Sequence, residues 1–466
     1  MNGNLYARLA ARFPEDRARP LFRMPNGGQV SYGETEAGAA RLAALLKARG
    51  VAVGDRVAVQ TAKSPEAVML YLATLKIGAV FLPLNTAYTP AEVDYFVGDA
   101  EPALFVTDAV ALAAEAAGLA PLEAVHEAAP EDLASILYTS GTTGRSKGAM
   151  LSHAALGENG QALTDAWGFT ADDVLLHALP IYHVHGLFIA LHCVFLAGAS
   201  MIWLPKFDEA EVLAALPRAT VMMGVPTFYT RLLDNPKFDR EVSGKMRLFI
   251  CGSAPLLPST FAAFEALIGQ PILERYGMSE AAIITTNPLH GARIAGSVGY
   301  PLPGVLLRIA GDGIVQIKGP SVTGGYWRNP AKTAEAFTAD GYFITGDIGR
   351  QDPDGRLWLS GRSSDLIISG GLNVYPKKIE LVLDELEGVS ESAVIGLPHP
   401  DLGEAVVAVV AGQGEEAAMI AAARTQLAAF KCPKRVIFVD DLPRNAMGKV
   451  LKVELRRRYA ETFGRQ

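Results

Sequence analysis

Cysteine is scarce in this chain. The 466 residues contain three, Cys193, Cys251 and Cys432, far apart and odd in number. That excludes a disulfide framework and offers no metal-binding spacing, so a reducing compartment is expected. Positive charge is in deficit as well. Lys and Arg number 42 against 49 Asp and Glu, a net charge of −7, which argues against the basic stripe of a nucleic-acid partner. Long apolar runs are missing. Leu187 to Ala197, the longest suspicious one, is broken by His192 and is too short to span a membrane. Met1 to Asp16 mixes Arg8 and Arg12 with Glu15 and Asp16 and has no apolar centre, so no signal peptide is expected. A cytoplasmic protein follows, and no pattern speaks to its oligomeric state. Also missing is the Gly-x-x-x-x-Gly-Lys-[Ser/Thr] spacing of a P-loop, which weighs against the GTPase and kinase readings.

What is present begins at Tyr138 to Ala149. Five Ser and Thr hydroxyls, three glycines and Lys147 fall within twelve residues, just after the apolar, strand-like run Ala134 to Tyr138. Glycine lets backbone N–H groups approach phosphate oxygens, while the hydroxyls add donors and Lys147 adds charge. Taken alone, this stretch reads equally as a polyphosphate cradle or as a Gly/Ser/Thr-rich linker.

Half of the residues are apolar, and 466 is too many for one core, so two or more domains are expected. Ser31 and Glu34 form a capping box, followed by Leu42, Leu45 and Leu46 on one helical face, with Gly50 as a stop. Strands are predicted at 56–60, 79–82, 174–179, 201–204, 220–225 and 247–251, with helices such as 65–76 and 209–216 between them. Residues 109–129 read as Ala-rich helix plus linker. This alternation predicts an α/β fold of parallel-rich sheets flanked by helices. Gly and Pro become dense after Gly296, which predicts a small antiparallel or barrel subdomain. Beyond Ser363 the pattern restarts as helix 377–386, strands 392–397 and 405–410, helix 415–428 and strand 435–439, a small α+β domain.

Three more segments place small and polar residues after predicted strands, where open α/β sheets bind ligands: Gly252 to Leu256, Glu274 to Glu280 and Gly341 to Asp347. Taken singly, Glu280 reads as an ordinary surface residue and Tyr276 as core. Together with Thr139 to Gly148, Gly361-Arg362, Gly370 to Asn373 and Pro443 to Lys449, they occur in an order that resembles the adenylate-forming superfamily of acyl-CoA synthetases, luciferases and adenylation domains, over essentially the whole chain.

The resemblance implies roles. Thr139, Ser140, Gly141, Thr142, Thr143, Gly144 and Lys147 would wrap the ATP β- and γ-phosphates, and Thr139 with Glu280 would place Mg2+. Gly252, Ser253, Ala254 and Pro255 would hold adenine with Tyr276, alongside Gly277, Met278 and Ser279. Asp347 and Arg362 would bind ribose. Lys449 would reach the acid carboxylate and the α-phosphate, with Glu280 and Thr139 as its catalytic companions. Residues 1–362 would form an N-terminal ATP- and acid-binding domain and 365–466 a mobile C-terminal domain. The hinge at about 363–365 leaves Ser364 and Asp365 as rival pivots, and Gly370 and Gly371 would swing in for coenzyme A. Ser146 stands where many members have proline.

For the acid, His183 matches the family's gate histidine. His185 stands where relatives with aromatic acids have apolar residues or Tyr, and Arg275 precedes Tyr276. Arg275 reads equally as a clamp for a second carboxylate or as a partner of Glu274. The wording around Gly144 to Met150, His183 to Leu187 and Glu274 to Glu280 resembles malonyl-CoA synthetases. It implies malonate or methylmalonate, a dicarboxylate, as substrate, with His185 and Arg275 on the distal carboxylate. The alternatives are a synthetase for another short acid and a free-standing enzyme that loads a carrier protein.

Overall fold

The computed structural model describes residues 2–139, 146–445 and 448–464. Local signals act as the sequence predicts. Ser31 accepts from the Glu34 amide while Glu34 reaches back to the Ser31 amide, and the helix Tyr32–Ala48 starts there. Ser64 caps the helix Pro65–Lys76, whose first position is the preferred site for proline.

Among the described residues, thirteen strands share one hydrogen-bonded path. Its centre is parallel: Ser200–Trp203, Val174–His177, Val221–Gly224, Leu248–Cys251 and Leu273–Met278 lie side by side. These strands are almost wholly buried, as helix-covered parallel strands are. At Leu273–Met278 the pairing turns antiparallel and continues through Ala282–Thr286, Ser297–Pro301, Leu357–Arg362, Phe343–Gln351, Ile314–Lys318 and Leu306–Ile309. The Gly-rich region is antiparallel, as expected, and its strands are hydrogen-bonded onto the end of the main sheet.

A second sheet holds Arg56–Val59, Val80–Pro83 and Leu104–Val106 in parallel, ending in the antiparallel pair Leu133–Thr139 and Lys147–Ser152. A third, beyond Arg362, pairs the long strands Val389–His399 and Gly403–Gly412, with Arg435–Val439 parallel at one edge. Its two faces bury separate clusters, one around Val394, Val406 and Val410 and the other around Ile395, Val407 and Leu455. No described helix is long and apolar enough to cross a membrane.

Candidate active site

The phosphate-loop segment hangs between two paired strands. Thr139 stands opposite Lys147, and Tyr138 opposite Gly148. Ser140, Gly141, Thr142, Thr143 and Gly144 lie outside the described residues. Both flanks are held by the helix Pro90–Ala100: Tyr95 donates to the Ser146 carbonyl at 2.8 Å, and Tyr138 donates to Asp99 at 2.5 Å.

Tyr326 belongs to the site although nothing in its local sequence marks it, 180 residues away, beyond the pair Gly324-Gly325. Its segment runs beside Lys147–Ser152 through Met150 N–H to Gly325 O at 3.0 Å and Trp327 N–H to Gly148 O at 2.8 Å. The Lys147 ammonium lies 4.9 Å from the Tyr326 ring centre, a cation–π contact. The Tyr326 hydroxyl donates to Glu280 Oε1 at 3.2 Å. Glu280 is buried, and desolvation raises its carboxyl pKa against the pull of Arg362 and Lys147.

Asp347 and Arg362 are brought together as the sequence predicts. Arg362 Nε is 2.9 Å from Asp347 Oδ1, and the Tyr276 hydroxyl donates to Oδ2 at 2.5 Å. The Tyr276 ring is buried among Ala281, Ile284, Val315, Ile317, Phe343 and Leu357. Gly277, Met278 and Ser279 follow it half-buried, and Ala282 then turns the chain with φ of 50°. Lys449 enters from the C-terminal unit. The residue is exposed, but desolvation of its ammonium and the Arg362 cation lower its pKa, while Asp347 and Asp365 oppose the shift. Its loop is closed by Asn445 N–H to Lys449 O at 2.9 Å, and Arg444 pairs with Glu391. Gly448 abuts Thr227 of the helix Pro226–Asp234, where an added Cβ would lie 3.2 Å from the Thr227 hydroxyl.

Arg275, His183 and His185 form a second cluster deeper in. His185 is fully buried in a single π-helical segment, His185–Ala190, a distortion often found at functional sites. Ser253 takes a left-handed backbone with φ of 72°, a strained conformation for a residue with a side chain. That turn brings its hydroxyl 3.3 Å from His185 Nδ1. Gly252 is required by Arg275, because a Cβ there would lie 2.5 Å from the guanidinium carbon. Ala254 and Pro255 continue outward, Pro255 exposed.

Arg275 does not pair with Glu274. Successive residues of a strand face opposite ways, and Glu274 instead accepts from the Gly296 amide at 3.0 Å. Nε and Nη2 of Arg275 are buried without a partner among the described residues, and so is His185 Nε2. Burial lowers the Arg275 pKa to about 10. Burial and the Arg275 cation lower His183 to about 4 and hold His185 well below its usual range. Both imidazoles thus lose the charged form to burial, beside a cation that has no ion-pair partner among the described residues.

Of the remaining predicted positions, Asp365 lies near Lys449 and Arg362. Ser364 sits in a 3-10 turn, Ser363–Asp365, and Asp365 pairs with Arg456 at 2.8 Å. Gly370 and Gly371, with φ of 58° and 78°, form the two-residue turn of the hairpin Ile367–Ser369 and Leu372–Val374, exposed and beside Leu402.

Residues 6–327 match the family described as AMP-binding enzyme, and residues 378–449 match the AMP-binding enzyme C-terminal domain. The chain belongs to the AMP-binding enzyme family. Within that family it is similar to MatB from Rhodopseudomonas palustris, whose ATP-bound crystal structure is 50% identical, covers 99% of this chain and 100% of that chain, and superposes with a TM-score of 0.97. The apo structure of the same MatB reaches 0.84. A malonate–CoA ligase from Arabidopsis thaliana is 34% identical over 93% of this chain and 85% of that protein. A feruloyl-CoA synthase from an Amycolatopsis species is 35% identical over 93% of this chain and 94% of that protein.

Proposed function

We propose that this protein is an ATP-dependent, AMP-forming acid–CoA ligase whose acid is malonate or methylmalonate. The observation that carries the choice of acid is that Nε and Nη2 of Arg275, and Nε2 of the nearby His185, are buried without a partner among the described residues. An uncompensated buried cation costs on the order of several kcal/mol. A second carboxylate on the substrate would offset that, since a guanidinium matches a carboxylate with two parallel hydrogen bonds. Similarity to the Arabidopsis malonate–CoA ligase supports the same acid.

The reaction has two steps. A carboxylate oxygen of the acid attacks the ATP α-phosphorus, and the bond to pyrophosphate breaks. The coenzyme A thiolate, its proton lost, then attacks the acyl carbon, and the bond to AMP breaks. Lys449 would hold the negative charge at the reacting carboxylate and α-phosphate. Lys147, Thr139 and residues 140–144 would grip the leaving pyrophosphate. Asp347 and Arg362 would take the ribose, and residues 252–255 with Tyr276 to Ser279 the adenine. Glu280 fits a Mg2+ site: it is a buried carboxylate within reach of the Lys147 charge, with Oε1 accepting from the Tyr326 hydroxyl, and Mg2+ is commonly held by one or two carboxylates plus phosphate oxygens. When bound, that ion would neutralise phosphate charge.

Residues 1–362 and 365–466 would move against one another between the steps, about 363–365. Asp365, tied to Arg456, would travel with the C-terminal unit, leaving Ser364 as the pivot.

Pyrophosphate release is measured with malonate, acetate, butyrate and coumarate, and thioester formation with coenzyme A and with a carrier protein as acceptor. Malonate and coenzyme A are the expected pair. Arg275→Ala should lower kcat/KM for malonate by about 100-fold or more, the usual effect of leaving a buried charge without its partner. Unchanged malonate kinetics in that variant would defeat the assignment.

A further inference from the structure

His177 closes the strand Val174–His177 and is 1% exposed, yet nothing above uses it. Its Nε2 lies 2.9 Å from the Gly186 carbonyl and its Nδ1 2.9 Å from Lys63 Nζ. A carbonyl only accepts, so Nε2 must carry the proton and donate to Gly186. In the neutral ring Nδ1 is then an acceptor, and Lys63 supplies its donor. Lys63 also donates to the carbonyls of His177 at 2.9 Å and Leu204 at 2.7 Å. Three N–H donors meet three acceptors, with the Trp203 ring centre 4.3 Å away. Lys63 is held without a carboxylate among the described residues, burial lowers its pKa well below the usual range, and its contact with Nδ1 complements the Gly186 carbonyl in fixing which nitrogen of His177 carries the proton.

The far end of this relay is the acid site. Gly186 follows His185 in the π-helical segment. An added Cβ on Gly186 would lie 2.1 Å from the Pro180 carbonyl, so the turn is pressed against the chain that enters it. Within the π-helical segment the Gly186 carbonyl also accepts from His177 Nε2, a donor from outside that segment. Pinning that carbonyl fixes the Gly186–Leu187 peptide, one residue beyond His185, and so braces the π-helical turn that carries the imidazole to Ser253.

We propose that Lys63 and His177 are positioning residues that hold His185 against Arg275 and thereby set the preference for a dicarboxylate over a monocarboxylic acid of the same length. This rests on the acid assignment above. Neither residue touches the acid; each acts through the Gly186 peptide.

The test is the ratio of kcat/KM for malonate to that for propionate, with KM for ATP and the melting temperature measured alongside. Lys63→Met and His177→Leu should lower the ratio by about tenfold or more, the range of a misplaced polar contact, with KM for ATP within about twofold of wild type. His177→Gln, which keeps a donor for the Gly186 carbonyl, should recover part of the ratio. If Lys63→Met does not fold, Lys63→Gln decides: it retains two donors for the two carbonyls and leaves Nδ1 without one, so the ratio should still fall. A malonate preference lost in Arg275→Ala but intact in the folded Lys63 and His177 variants overturns the relay alone. Parallel losses for both acids also overturn it. A wild-type ratio near one, or a wild-type ratio in Arg275→Ala, overturns the acid assignment itself.

Discussion

Glu274 and Arg275 are adjacent, oppositely charged and both buried, yet each lacks the other because a strand sends them to opposite faces. Arg275 is the residue we assign to the acid. Glu274 is left nearly desolvated, and its pKa rises from 4.5 to about 8, with one backbone amide and the more distant Lys377 pulling it back. The sign of the linkage follows. A raised acid is protonated in the folded protein, so its contribution to stability is complete below pH 4.5 and is lost as pH rises through about 8. The melting temperature should therefore fall across that window, and Glu274→Gln should flatten the fall; a wild-type slope in Glu274→Gln would remove Glu274 as its source. Arg275 and His185 were legible as unusual residues at a gate. Their alternatives were not separable by sequence, because the deciding facts are the face each side chain takes and the left-handed turn at Ser253.

The hairpin of Leu133–Thr139 and Lys147–Ser152 is presented to the cleft by a helix it does not pair with. Tyr95 and Asp99 both sit on Pro90–Ala100, one turn apart, and each fixes one side of the phosphate-loop segment. A hydrogen bond of this kind is worth about 1 kcal/mol, roughly fivefold in an equilibrium. Tyr95→Phe should raise KM for ATP by about that factor and leave KM for the acid unchanged; an equal rise in both would mean that the helix supports the sheet and not the loop. Elements with local signals were readable in the chain. The capping box at Ser31 and the helix Pro65–Lys76 fall where predicted, whereas most strand ends shift by a residue or two, because pairing rather than propensity sets them. The braces, and Tyr326 between Lys147 and Glu280, depend on contacts between residues 39 to 179 positions apart, which one sequence does not display.

At the scale of the whole molecule, the Lys449 loop rests on Thr227 and reaches toward Asp347 and Arg362 from another sheet. The chain as a whole superposes better on ATP-bound MatB than on the apo form, with TM-scores of 0.97 and 0.84. In the reaction we propose, Lys449 belongs to the first half-reaction. Lys449→Ala should abolish adenylation, measured as acid-dependent pyrophosphate exchange, yet form thioester from supplied acyl-adenylate at a rate within about threefold of wild type. Equal loss of both half-reactions would contradict a role confined to the first. The strand Leu273–Met278 joins these observations, since Arg275 faces the acid cluster while Tyr276 faces Asp347. With the roles we propose, a substitution at position 275 would alter the acid side while Tyr276, on the other face, kept its bond to Asp347. One strand would then let the choice of acid be retuned separately from the hold on the nucleotide.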